Sequence, residues 1–133
     1  MFEHPLEERC HQFAKSVRMF CRRLKKDVVN VEDIKELVTT SGSVGANYIE
    51  ANENVGQGDL KYRVKVCRKE SKESMHFLGL IETFGVKELE VERASLIDEA
   101  NQLKKIFSAM LVRIIEKEKN LKGVKPKSST SMS

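Results

Sequence analysis

"TTSGSVGANYIEAN", residues 39 to 52, decides the fold. Its two glycines, Gly42 and Gly45, stand among hydroxyl side chains and ahead of Asn47. Such a stretch is either a loop that cradles phosphate or a helix trimmed for close packing. A phosphate loop needs a strand before it, irregular backbone to aim N–H groups at the anion, and a Lys-Ser or Lys-Thr pair at its end. None of the three is present. Instead Ile34, Leu37, Val38, Ser41, Val44, Gly45, Tyr48, Ala51 and Val55 fall on one helical face without a break. Glycine inside a helix costs about 1 kcal/mol against alanine, so Gly42 and Gly45, with Ser41 and Ala46, are expected to let a neighbouring helix come close.

Three further periodic segments surround this one. Leu6, Cys10, Phe13, Val17, Phe20 and Leu24 are spaced 4, 3, 4, 3 and 4, the seam one helix presents to its neighbours, with Pro5 in the first turn. Asn30 followed by Asp33 resembles a capped start for the second helix. "NENVGQGD" reads as a turn with Gly58 or Asp59 as cap. The third helix then carries Leu60, Val64, Cys67, Ser71, Ser74, Met75, Leu78 and Ile81, and is expected to stop at Gly85. A fourth has its seam at Leu89, Leu96, Ala100, Leu103, Phe107, Met110, Ile114 and Leu121, with a second apolar flank at Ile97, Ile106, Leu111 and Ile115 that predicts a subunit contact.

The expectation is an all-α, up-down-up-down antiparallel four-helix bundle over residues 1–122 that associates with copies of itself. Its helices span about 5–27, 31–54, 59–84 and 87–121, and residues 123–133 form a basic, Ser-rich tail expected to be mobile. The 133 residues suit one domain, and two prolines, seven glycines and no tryptophan favour long helices over many turns.

Cys10, Cys21 and Cys67 are odd in number, lie on apolar stripes and lack zinc or redox spacing, so they read as reduced core thiols. No apolar run spans a bilayer and the N-terminus lacks a signal-peptide pattern. A cytoplasmic protein with no membrane partner is expected.

Charge is uneven along the chain. Residues 1–29 hold seven basic against four acidic side chains, 59–73 six against three, and 100–133 eight against two; 30–58 and 82–99 are acidic. On the first helix His11, Lys15, Arg18, Arg22 and Lys25 form a stripe opposite the seam, and on the third Lys61, Lys65, Arg68 and Lys72 do the same. A one-sign stripe weakens an isolated helix, so it needs an offsetting reason. Either these stripes meet a phosphate backbone, or they are solvated faces or docks for an acidic protein surface. Aromatic side chains do not interleave with them, so nucleic-acid contacts would carry little sequence readout.

Catalysis has little support. His4, His11 and His76 are scattered, and Glu73, which stands three residues before His76, is read with Asn47, Glu50 and Glu70 as a polar layer that fixes register rather than as a di-metal ligand set. No metal or cofactor is expected, and no enzymatic activity. A di-metal or other small-molecule enzyme remains a third reading.

"SGSVGANYIEA" (41–51) and "KVCRKESKESMHFLGLIE" (65–82) resemble the bacterial four-helix bundle family of the 23S ribosomal RNA intervening-sequence protein, distantly akin to accessory proteins of diversity-generating retroelements. The likeness covers about residues 10–120 in layout. It implies a ring-shaped homo-oligomer, a homopentamer, with an RNA partner, a reverse transcriptase partner in the retroelement branch, and a role for Ser43, Asn47, Glu50, Lys69, Glu70 and Glu73 in a polar layer that fixes packing and assembly. The sequence departs from the family pattern at Thr39 and Thr40, where basic residues are common, and at Met75 and His76, where an aromatic pair is common. The function expected on these grounds is non-enzymatic binding of nucleic acid, with RNA as the expected polymer, through the basic helix faces; the alternative is a scaffold docking an acidic partner such as a reverse transcriptase.

Overall fold

The computed structural model describes residues 2–53 and 56–123. Four helices account for nearly all of them: α1 (Pro5–Arg22), α2 (Val28–Glu53), α3 (Gln57–Leu80) and α4 (Lys87–Leu121). Among the described residues there is no strand. Each helix packs on two others: α1 and α3 both touch α2 and α4.

The periodic seams become the core. Cys10, Phe13, Val17, Phe20 and Leu24 are buried from α1 and the turn after it, Leu37, Val44, Tyr48 and Ala51 from α2, Val64, Cys67 and Leu78 from α3, and Leu96, Leu103 and Phe107 from α4. Each large apolar side chain so buried contributes roughly 1.5–3 kcal/mol. The Tyr48 and Phe107 rings meet at 5.8 Å in the middle of this core. Leu111, expected on an outer flank of α4, is buried in the core instead, and Leu121, expected in the seam, is 72% exposed. A 3.6-residue helix drifts against a seven-residue repeat, so over 35 residues the buried stripe migrates around α4.

The small residues of α2 divide: Ser41 and Gly45 lie at close contacts, whereas Ala46, expected beside them, faces outward. A Cβ on Gly45 would lie 3.3 Å from Cys10 Cβ, so α1 and α2 approach here as closely as side chains allow. Ser41 is fully buried and its hydroxyl donates to the Val38 carbonyl. Gly42 lies under the Arg18 guanidinium, and Ala46 is exposed.

Several boundaries differ from the expectation. α1 ends at Arg22, and α2 begins at Val28, ahead of Asn30. Asp27 takes the capping role, its Oδ1 accepting the Asn30 amide at 2.8 Å. α3 starts at Gln57 behind Gly56 and stops at Leu80, because Ile81 is extended. Gly85 does not end a helix; with Phe84 it forms a tight turn, both at positive φ, closed by the Val86 amide on the Thr83 carbonyl. Val55 and the tail from residue 124 lie outside the described residues.

Cross-helix pairs fix the register. Arg9 meets Glu99 and Arg23 meets Glu92 between the α1 region and α4. Asn52 donates to Glu7 at 2.7 Å between α2 and α1, the Cys67 thiol donates to the Val44 carbonyl between α3 and α2, and Lys61 meets Glu118 at 3.0 Å between α3 and α4.

Candidate functional site

The basic stripe of α3 lies at its groove with α4. Lys65, Arg68 and Lys72 are exposed and, with Lys69, Lys104 and Ser108, surround a concavity of about 430 Å³. None of these five cations has a carboxylate within ion-pair distance among the described residues, although Arg9, Arg23, Lys35, Lys61, Arg63 and Arg93 all do. Lys61 thus belongs to a half-buried cross-helix pair with Glu118 rather than to the open set. Lys69, assigned by resemblance to the polar layer, is an exposed wall of the concavity. Lys104 carries no signal in the sequence, since its place beside α3 comes from packing between segments more than thirty residues apart.

The basic residues of α1 line a different groove, against α2. His11, Lys15 and Arg18 border a cavity of about 520 Å³ with Gly42, Gly45 and Ala46, and Arg18 and Arg22 border a second of about 270 Å³. Arg18 Nη1 donates to the Ala14 carbonyl at 3.1 Å. Lys25 leaves the stripe, its ammonium standing 4.9 Å from the centre of the Phe84 ring. The α1/α2 and α3/α4 grooves share no helix, so the two stripes form two separate basic surfaces.

The expected polar layer is partly assembled between α2 and α3. Asn47 Nδ2 donates to the Ser43 carbonyl and hydroxyl at 2.9 and 3.0 Å, and Asn47 Oδ1 accepts from Arg63 Nη1 at 2.9 Å. Ser74 donates to the Thr40 hydroxyl at 3.0 Å. Arg63, Thr40 and Ser74 therefore join the layer, while Glu50 is exposed. Glu70 is buried and its Oε2 has no hydrogen-bond partner among the described residues. Burial pushes its carboxyl pKa up, and the neighbouring Glu73 charge adds to the rise against the opposing pull of Lys69.

Nucleophilic chemistry finds poor material here. Burial pushes the Cys10 and Cys67 thiols up to about 12 and Cys21 up to about 11, so all three are protonated near neutrality. His76 is exposed and edges onto the Phe77 ring. Among the described residues no three His, Cys, Asp or Glu side chains are grouped to hold a metal ion, and no helix is long and apolar enough to cross a membrane.

The chain is similar to Centromere protein S of three mammals. It is 35% identical to the Bos taurus protein over 81 residues, 61% of this chain and 58% of the relative. It is 38% identical to the Mus musculus protein over 65 residues, 49% and 46% of the two chains. With the Homo sapiens protein the figures are 32% over 60 residues, 45% and 44%. The chain thus spans about half the length of the curated relatives it matches. No family model matches it, and no solved structure does.

These matches overturn the resemblance to the bacterial intervening-sequence family. With it go the RNA-binding function, the RNA and reverse transcriptase partners, the pentameric count and the bacterial cytoplasmic location. The physical reason is visible in the motifs: Ser41, Val44, Gly45 and Tyr48, then Cys67, Ser71 and Ser74, occupy buried or close-packed positions between helices. Small and hydroxyl residues at that spacing suit any tightly packed helical core, so they do not single out one family.

Proposed function

We propose that this chain is a non-enzymatic helical subunit of a chromosomal protein–DNA assembly, holding duplex DNA by its phosphate backbone along the α3/α4 groove. The observation that carries the reading is the set of Lys65, Arg68, Lys69, Lys72 and Lys104 around one concavity, none neutralised by an ion pair among the described residues. Cations left unpaired along one groove, with no aromatic side chain among the described residues that line the concavity, suit a duplex backbone rather than single-strand stacking. The relatives are named for the centromere, a chromosomal locus, which supports DNA as the polymer. Protonated, buried thiols support a role without nucleophilic catalysis.

In this reading the helices run alternately up and down. As the residue number rises from Arg9 to Arg23, its α4 partner falls from Glu99 to Glu92, and the α2/α3 contacts run oppositely in the same way, from Thr40–Ser74 to Asn47–Arg63. Self-association into a closed ring through the outer side of α4 completes the proposal, supported by Val112 and Ile115, exposed one turn apart.

The test is a titration of short duplex DNA at low and moderate salt. Affinity is expected to fall steeply with salt, with a log–log slope of about −0.9 per neutralised phosphate. Reversing Lys65, Arg68, Lys69 and Lys72 to Glu should abolish binding with helicity unchanged and the DNA recovered intact. Undiminished binding by that variant, or none by the wild type at low salt, would remove DNA from the account.

A further inference from the structure

The α1/α2 groove has a different character from the α3/α4 groove. It runs past Arg18, which lines both of its cavities, from Glu7 at one end to Ile34 at the other. From Glu7 to Arg22 along α1 is roughly 22 Å, about four helical turns. Its floor is apolar and low, made by Gly42, Gly45, Ala46, Ile49 and Val38 of α2. Along the α1 edge stand Lys15, Arg18 and Arg22, spaced 3 and 4, none with a carboxylate partner among the described residues. The one acid in the lining, Glu7, is engaged by Asn52.

We infer that this groove docks an acidic amphipathic helix of a protein partner, apolar side down on the α2 floor and carboxylates against Lys15, Arg18 and Arg22. An apolar floor is wasted on a phosphate backbone, whereas a helix in a groove uses a hydrophobic strip and a charged edge together. The low floor over Gly42 and Gly45 lets an incoming backbone come close, and cations at 3 and 4 spacing match carboxylates at the same spacing on the partner. A half-buried guanidinium such as Arg18, which donates to the Ala14 carbonyl and meets no carboxylate among the described residues, gains most from a carboxylate because the partner excludes water from the pair. This inference is independent of DNA binding on the other groove.

The test uses a designed helical peptide of about 15 residues, long enough for four turns, with Leu and Ala on one face and Glu on the adjoining edge. Fluorescence anisotropy on the intact chain is expected to show saturable binding. Lys15→Glu and Arg18→Glu should each weaken it about tenfold, as charge reversal at a complementary edge does. Ala46→Trp, at an exposed position on the floor, should block it with the helical circular dichroism unchanged, and the four α3 reversals should leave it intact. Two controls carry the risk. Equal binding of a peptide whose apolar face is replaced by Ser would reduce the contact to charge alone and overturn the proposal. Loss of self-association in Arg18→Glu, seen by light scattering, would overturn it by giving the groove to a second copy of this chain.

Discussion

Asn30 and Glu82 are joined head to tail across the end of the bundle: Asn30 Nδ2 donates to the Glu82 carbonyl at 2.8 Å, and Asn30 Oδ1 accepts the Glu82 amide at 3.0 Å. The same Nδ2 also donates to the Lys25 carbonyl at 2.9 Å. One side chain, 1% exposed, thus ties the turn after α1, the start of α2 and the connection between α3 and α4.

Removing that side chain strands buried backbone groups in two connections. Asn30→Ala should lower the unfolding free energy by about 2–3 kcal/mol, the sum expected for several lost bonds to groups left dry. Asn30→Asp should do no better, since a carboxylate would then face two carbonyls. Urea denaturation monitored by circular dichroism measures both, and a loss below about 0.5 kcal/mol, the range of ordinary surface changes, would show that the connection is not held by Asn30.

The seams of the helices were legible because burial follows a local period: Cys10, Phe13, Val17 and Phe20 need only each other's spacing to be placed. Asn30 resembles a cap in the sequence, but its partner lies 52 residues away, a distance over which local pattern says nothing. The capping role belongs to Asp27, three residues earlier, a shift within the reach of terminal ambiguity. The candidate site was half legible for the same reason. Lys65, Arg68 and Lys72 share a helix face by arithmetic, but the pairing of Lys61 with Glu118 and the arrival of Lys104 beside them depend on how α4 packs. Periodicity also could not tell that the stripes of α1 and α3 open into separate grooves.

Two helical glycines should respond differently to an added side chain. A Cβ at Gly45 would sit 3.3 Å from Cys10 Cβ, whereas at Gly79 it would meet nothing within 4 Å. Gly79→Ala, near the end of α3, should therefore raise stability by up to about 1 kcal/mol through helix propensity. Gly45→Ala has the same propensity gain but forces α1 and α2 apart by a few tenths of an ångström, and Gly45→Val should destabilise by about 1–3 kcal/mol as an overpacked contact. Thermal melts of the three variants decide it; a stabilised Gly45→Val would contradict the close approach.

The three thiols should behave as core atoms. With Cys10 and Cys67 pushed up to about 12 and Cys21 up to about 11, the native protein holds almost no thiolate at pH 8. Reaction with an aromatic disulfide reagent should be slow for all three and rise together across the urea unfolding transition. Fast native labelling of one cysteine would show a local opening around it.

Glu70 should make the fold more stable as pH falls toward the carboxylate range. Its carboxyl is buried beside Glu73 and its pKa is raised above the ordinary 4.5, so the folded state holds the proton more tightly than the unfolded chain does. The sign then follows from linkage: the folded state binds more protons, so the Glu70 contribution is fully present below the ordinary pKa and is lost as pH rises from there through the raised value. Once ionised, the group is a charge in a buried site, with one oxygen lacking a hydrogen-bond partner among the described residues. Glu70→Gln should therefore melt higher than wild type at pH 7, with the two curves converging at low pH where Glu70 itself is neutral. Glu73→Gln, which removes the like charge but not the burial, should shrink the pH dependence without abolishing it. A Glu70→Gln variant less stable than wild type at pH 7 would mean that the carboxylate has a cationic partner in solution, with Lys69 the nearest candidate.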